Sequence, residues 1–457
     1  MGIDEIWNRY CWNMRLERVR INATFSAAVA RLDKRRLFMV HRWIIIAILL
    51  IGSALCVASN AQEWTRFRGP NGQGQSDAAA TIPVAWTQSN YNWKVDLPGV
   101  GHSSPVVWGD RVFVTSADPD TAVRHVLCLS TADGKTLWQR DFPGSKYHVH
   151  NQNNFAVSTP ALDANHIYLA WASADEFTLQ ALTHDGQDVW QINLGPFVSQ
   201  HGFGTSPIVV DDEVIITNDQ EGESRFLIAV DAATGQDRWK IPRKYADNRQ
   251  NASYATPCVL ETPAGRELIV CSWAYGITSH NLKTGEVNWE APVFKLRPVG
   301  SPVLADGLIL ANCGEGQEGK GNNRVVAIKP GSKDGRAFEL VYTIPKSSAP
   351  YVTTICIACD LAFLWGDGGI VTCIDVPTGK VHWRERVGGI FYGSPVRVGD
   401  RIYCISLDGD VVVLAASSEY KQLARNSLGE GSQATPAIAD GKMYLRTLSH
   451  LISIGGK

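Results

Sequence analysis

Several kinds of chemistry recur at related places in this 457-residue chain. His102, Asn153, His201, Phe203, Tyr254, Arg297 and Tyr392 each stand shortly before a Ser-Pro or Thr-Pro pair, at Ser104-Pro105, Thr159-Pro160, Ser206-Pro207, Thr256-Pro257, Ser301-Pro302 and Ser394-Pro395. Tyr351 and Gln433 hold comparable positions. Brought together, these groups would suit a planar anion, with the Arg297 guanidinium as charge partner and Phe203, Tyr254 or Tyr392 as walls. The plainer reading is that these loops are polar because they meet water.

Other clusters carry less. His148 and His150 in Tyr147-His148-Val149-His150 face one side if extended and could share a metal, but no third ligand is identifiable. A surface pair is the reading adopted. Cys356-Ile357-Ala358-Cys359 has redox spacing, yet residues i and i+3 of a strand face opposite ways, and no second pair exists for zinc. Buried apolar cysteine fits better. Cys258 and Cys271 flank a turn near Ala264-Gly265, which leaves a cross-strand disulfide open in an oxidising compartment. Asp219-Gln220-Glu221-Gly222-Glu223 and Glu315-Gly316-Gln317-Glu318 lack the alternating spacing of a calcium loop and read as solvated. Asn251-Ala252-Ser253 matches a glycosylation sequon. No metal site and no catalytic residue is assigned.

The elements that must position these groups are repeats. A glycine followed four residues later by tryptophan occurs five times, at Gly134/Trp138, Gly186/Trp190, Gly235/Trp239, Gly285/Trp289 and Gly379/Trp383. The Ser/Thr-Pro pairs, with a further one at Thr435-Pro436, interleave with them. Self-similarity at a period of roughly 40–55 residues marks a repeat architecture. Within one unit, Pro207 opens a strand, Val214 to Thr217 forms a second, Phe226 to Val230 a third, and Gln236 to Lys240 a fourth carrying Trp239. Four short antiparallel strands with a fixed aromatic on the last describe a propeller blade, the Trp packing between neighbours.

Imperfect copies complete the count. Tyr342 takes one Trp place, Cys356 stands where one Pro should be, and Leu423 substitutes for another Trp. The last unit stops after three strands, while Tyr91-Asn92-Trp93-Lys94-Val95 looks like a fourth strand with no unit before it. Joining the two predicts an all-β, eight-bladed propeller of four-stranded antiparallel blades, closed by this N-terminal strand; seven blades is the other count left open. Loops entering the innermost strands then converge at one face, which gathers the residues of the first paragraph at a mouth.

The first 61 residues lie outside this domain. Arg35, Arg36, His41 and Arg42 precede the apolar run Trp43 to Ile51, and small residues end at Ala61, the order of a secretory signal peptide, with an uncleaved anchor as the alternative. Met39 stands where such a peptide would begin, so residues 1–38 read as an over-extended start. Leu55 before Cys56 argues against lipidation. Residues 62–81 read as a linker with a turn. Removing nine Lys/Arg and four Asp/Glu with the first 61 residues leaves 34 basic and 41 acidic side chains, a net charge of −7. That balance gives no electrostatic case for nucleic acid.

The string Ala229-Val230-Asp231-Ala232-Ala233-Thr234-Gly235…Trp239 resembles the tryptophan-docking repeat of the pyrroloquinoline quinone (PQQ)-like propellers, over nearly all of 82–457. Trp64-Thr65-Arg66-Phe67-Arg68-Gly69-Pro70-Asn71-Gly72 looks like the start of exported PQQ-like proteins of planctomycete-type bacteria. The resemblance implies one of two things: an alcohol or sugar dehydrogenase holding PQQ and Ca²⁺ on the axis, or a cofactor-free propeller of the BamB type. The chain has no adjacent Cys-Cys and no Cys-x-x-Cys-His, and it is short for the dehydrogenases. The resulting expectation is an exported, monomeric, non-catalytic scaffold of the periplasm or cell envelope. It would meet an envelope protein or a small ligand at its mouth, and a membrane only through the signal or anchor. A PQQ- and Ca²⁺-dependent oxidoreductase is the alternative.

Overall fold

In the computed structural model, the described residues are 63–78, 81–244, 252–315, 322–332 and 334–456. The expectations resting on residues 1–61, on Cys56, on Asn251 and on positions 316–318 of the second acidic loop lie outside them. Eight antiparallel sheets of four strands follow one another along the chain, and we call them blades 1–8. Blades 1–7 span 106–142, 161–193, 208–242, 258–291, 303–344, 356–386 and 396–427. Blade 8 takes three strands from 437–455 and its outermost strand from Tyr91–Asp96. That strand pairs antiparallel with His450–Gly455, matching Lys94 to Ile452 and Asp96 to His450. The ring is closed by its two ends.

Blade 3 shows why the sequence folds this way. Its strands Ile208–Val210, Glu213–Asn218, Phe226–Asp231 and Asp237–Pro242 pair in order, and the second and third are buried on both faces. Runs such as Val-Ile-Ile and Leu-Ile-Ala-Val are apolar without alternation because a blade is covered on each side by its neighbours. The fourth strand alternates, with Trp239 buried and its flanks exposed.

Each tryptophan docks onto the next blade. Trp138 Nε1 donates to His184 O (2.8 Å), Trp190 Nε1 to Ala232 O (2.9 Å) and Trp239 Nε1 to Leu282 O (2.8 Å). The motif glycines explain the spacing. Gly235 has φ +71°, and a Cβ there would lie 2.7 Å from the Trp190 ring, so only glycine satisfies both the turn and the docked indole. Tyr342 fills the Trp place as expected, its hydroxyl donating to Val376 O (2.7 Å).

Two substitutions differ from the sequence reading. The register pairs Val413 with Ala424, so Ala424 rather than Leu423 holds the Trp position of blade 7; Leu423 is the bulge residue beside it. The missing indole is supplied from outside the repeat, since Trp86 stacks on Tyr403 (6.4 Å, 25°), the place Trp93 takes on Tyr444 in blade 8. Ile355, not Cys356, stands in the Pro place, because Cys356 already begins the strand Cys356–Ala358.

The stretch expected as a linker is instead packed into the ring. Trp64 is fully buried, bridges to Val107 of blade 1, and joins the core shared by blades 1, 7 and 8. The segment then crosses the axis on the side away from the mouth loops. Thr65 O accepts from Leu162 N (2.7 Å) in blade 2, and Asn71 exchanges two hydrogen bonds with Val259 (2.7 and 2.8 Å) in blade 4. Gln73 Oε1 accepts from Leu304 N (2.9 Å) in blade 5. Arg68, fully buried, donates to Pro395 O (2.7 Å) in blade 7 and Ile355 O (3.0 Å) in blade 6. Gln75–Ser76 ends as a parallel fifth strand on blade 7. Composition gave no hint of this, because the contacts are backbone-directed and non-repeating.

The cysteines stay apart. Cys258 faces Ile269, which sets Cys271 on the same face but two residues beyond the paired position, and both are free buried thiols. Cys356 is buried as expected, but Cys359 is exposed, because the strand ends at Ala358 and Cys359 lies in the turn that follows.

Candidate functional site

The Ser/Thr-Pro pairs do more than open strands. Seven hydroxyls, those of the pairs other than Thr256 together with that of Thr354, stand about the axis, each accepting a backbone N–H of the preceding blade. Ser104 N donates to Thr159 (2.9 Å), Thr159 N to Ser206 (3.0 Å) and Thr256 N to Ser301 (3.0 Å). Ser301 N donates to Thr354, Thr354 N to Ser394 and Ser394 N to Thr435 (3.0 Å each), and Thr435 N returns to Ser104 (3.1 Å). A side chain of this kind suits the site because a hydroxyl can accept an N–H while keeping its own proton to donate. Among the described residues no protein acceptor takes those protons.

Above this ring the entering loops enclose a cavity of about 1040 Å³. Phe67, from the segment crossing the axis, lies at its floor, and Ser104, Thr159, Thr354 and Ser394 of the ring line it. The axis is therefore a cup, open at the mouth and closed below. Six of the seven residues expected at the mouth line it: His102, Asn153, His201, Tyr254, Arg297 and Tyr392. Phe203 does not. It is buried between blades 2 and 3 against Phe177 (5.0 Å) and Phe197 (5.3 Å), because its loop has already turned into the core there.

Arg297 is the best-held of these side chains. Its Nε donates to Ala252 O (3.1 Å), Nη1 faces the His201 ring (3.2 Å), and Nη2 lies 3.6 Å from Glu221 Oε1. Its guanidinium carbon sits 5.8 Å from the Tyr254 ring centroid and 5.7 Å from that of Trp273. Burial, then the positive charge of Arg297, pushes the His201 imidazole down to about 4, so it is neutral at physiological pH and accepts from the guanidinium. His150 stacks on it (5.2 Å, 22°). The loop Asp219–Glu223 is not solvated as expected: Asp219 pairs with buried Arg243 (2.9 Å) and Glu221 holds Arg297.

The other groups divide into structural and available. Asn153 Nδ2 donates to His201 O (2.5 Å) and Phe203 O (3.3 Å), which fixes the loop. The Tyr254 hydroxyl bonds Ser199 Oγ (2.8 Å). His102 is pushed down to about 3 by burial and by Arg446, and its buried Nδ1 has no partner among the described residues. The Tyr392 side chain is half-buried, and among the described residues its hydroxyl makes no hydrogen bond to protein.

Sequence reasoning missed Trp273 and Asp367. Both come from turns after the second strand of a blade, which open on the same face as the entering loops; that topological rule was the signal available. Asp367 accepts from Tyr351 N and Val352 N (3.1 Å each), and burial raises its carboxyl to about 6.

The fit of PQQ with Ca²⁺ follows from this inventory. PQQ carries three carboxylates, whereas among the described residues Arg297 is the one Lys or Arg lining the cup and is already paired with Glu221. Glu315 and Asp367 add negative charge, and the histidines His102 and His201 are held neutral. Among the described residues no group of three or more His, Cys, Asp or Glu is placed to hold a metal ion. The residues present do not fit the quinone.

A family model described as Outer membrane protein assembly factor BamB matches residues 84–335 and 358–449. Outer membrane protein assembly factor BamB of Burkholderia pseudomallei is 23% identical over 385 residues, covering 79% of this chain and 88% of that protein. Among solved structures, BamB from Moraxella catarrhalis superposes with a TM-score of 0.55 at 15% identity, covering 79% of this chain and 98% of that one. Quinohemoprotein alcohol dehydrogenase ADHIIG from Pseudomonas putida HK5 gives 0.56 at 14% identity, covering 87% and 81%. At such identities the structural likenesses speak for the fold alone.

Proposed function

Because the chain belongs to the family of the outer membrane protein assembly factor BamB, we propose that it is an exported, non-catalytic binding and assembly propeller of the periplasm or cell envelope. One observation carries the choice over an oxidoreductase: Arg297, the one Lys or Arg lining the cup among the described residues, is held by Glu221, His201 and Ala252 O, and so serves the mouth's shape. A preformed, one-ended cavity of this size lies at the upper end of small-ligand pockets, about 300–1,000 Å³. The entering loops around it offer a rim to a protein partner of the envelope.

The testing experiment titrates the purified protein with PQQ plus Ca²⁺, reading quinone absorbance, tryptophan fluorescence and dye-linked oxidation of alcohols and sugars. The expected result is no saturable binding and no dye reduction by a folded protein. Saturable one-to-one binding with quinone-dependent dye reduction would replace this reading with the oxidoreductase one. Cell fractionation tests the location, with recovery in the cytosol as the contrary outcome.

A further inference from the structure

The cup's lining is specific about the chemistry it would accept. Three features act together: the ring hydroxyls hold unengaged protons, Arg297 and Asp367 are engaged by the protein itself, and Glu315 leaves the lining with an excess of negative charge. Asp367 receives two backbone N–H groups, and Arg297 is matched by Glu221. A ligand that brings negative charge into such a site loses hydration without gaining a partner. A ligand with many lone-pair oxygens gains hydrogen bonds from the ring hydroxyls at the bottom. The half-buried Tyr392 hydroxyl is free to supplement them. Between these polar groups stand flat rings, Tyr392 and Tyr351 on the wall and Phe67 at the floor, suited to C–H faces.

Alternating hydroxyl edges and C–H faces without net charge are the surface of a carbohydrate. We infer that the cup is a binding site for a neutral oligosaccharide, entered from the mouth with its terminal ring toward Phe67. This rests on the non-catalytic binding reading and names its ligand class. The floor matters to it, because a closed end selects a chain terminus, whereas an open channel would accept any internal stretch.

Isothermal titration of the purified full-length protein with cellotriose, xylotriose, maltotriose and tri-N-acetylchitotriose, and with trigalacturonate as the acidic counterpart, tests it. The expected outcome is one-to-one binding of at least one neutral trisaccharide and none of trigalacturonate. Tyr392→Ala should weaken that binding about tenfold, the scale of one lost aromatic contact. Tyr392→Phe, which keeps the ring and the fold, should weaken it by less. No binding of any neutral trisaccharide, preference for trigalacturonate, or unchanged affinity in both variants would each overturn the inference. Failure is separable from failure of the underlying reading. A folded protein that binds no sugar and reduces no dye loses only this ligand class, whereas quinone-dependent dye reduction removes the reading beneath it.

Discussion

At the mouth end of the axis, side chains from many loops stand around open space; at the other end, one short segment alternates buried and half-buried residues, with Trp64 and Arg68 fully buried. The mouth is assembled from equivalent positions in successive blades, yet the residues there differ from blade to blade: His102, Tyr254, Arg297, Tyr392. The floor is built once, from residues 64–76, and reaches six blades through backbone-directed hydrogen bonds. Ring closure by repetition leaves a hole on the axis that no repeat can fill. Filling one end with a unique segment leaves the other end open, where Arg297 and Asn153 hold the loops while Tyr392 is left unengaged among the described residues.

The largest expected effect tests that division directly. Trp64→Ala removes a fully buried indole from the core shared by blades 1, 7 and 8 and should cost about 3–5 kcal/mol. Tyr392→Ala, half-buried at the mouth, should stay within about 1 kcal/mol. Urea midpoints of the two variants give the comparison. Equal losses would mean that the two ends carry the fold alike, and the contrast drawn above would fail.

Next in size is Arg68→Met, which keeps most of the side-chain volume but strips donors from Pro395 O and Ile355 O. Buried acceptors left unpaired cost roughly 1–3 kcal/mol each, so a loss of about 2–4 kcal/mol is expected in the same assay. Burial lowers the Arg68 guanidinium only to about 10, so it remains charged and donating at neutral pH. A neutral outcome would show that the floor is held by Trp64 and strand pairing alone.

These two positions also mark the limit of what the sequence disclosed. The ring, the eight blades and the closing strand were legible because glycine, tryptophan and Ser/Thr-Pro recur at fixed spacing, and recurrence is visible without a structure. Six mouth residues followed from topology once the blades were drawn. The floor was invisible because residues 64–76 occur once and contact backbone, which leaves no pattern of side-chain types. Trp86 escaped for the same reason: it repairs the Ala424 gap from outside the repeat. Phe203 was misplaced by two residues of loop geometry, since His201 on the same loop does reach the cup.

A smaller effect separates the ends by pH. His102 titrates near 3 and His201 near 4 in the folded protein, below the ordinary 6.5, because burial disfavours their charged forms. Below that ordinary value the unfolded chain takes up protons that the folded mouth refuses, so stability falls as pH drops from 6.5 toward 3. Asp367 opposes this. Its carboxyl is raised from 3.8 to about 6, so its contribution is fully present below 3.8 and is lost as pH rises through 6. Two imidazoles against one carboxyl leave a net acid loss. Thermal midpoints should fall more steeply with acidification in Asp367→Asn and less steeply in His102→Gln. Parallel profiles in all three proteins would show that the mouth groups do not set the slope.

The smallest effect belongs to the floor side, at a turn rather than in the core. Cys359 sits at φ +51° in the tight connection between Cys356–Ala358 and Leu361–Trp365. Blades 1 and 7 place Gly109 (φ +54°) and Gly399 (φ +58°) at the same point. A side chain in the left-handed region costs roughly 1 kcal/mol relative to glycine, part of which glycine returns through greater freedom in the unfolded chain. Cys359→Gly should therefore raise stability by about 0.5 kcal/mol. It should also abolish the fast thiol reaction of the native domain, because Cys359 is the exposed cysteine of the eight between 128 and 404. Rapid labelling that survives the substitution would mean that a blade opens readily enough to expose one of the seven buried thiols.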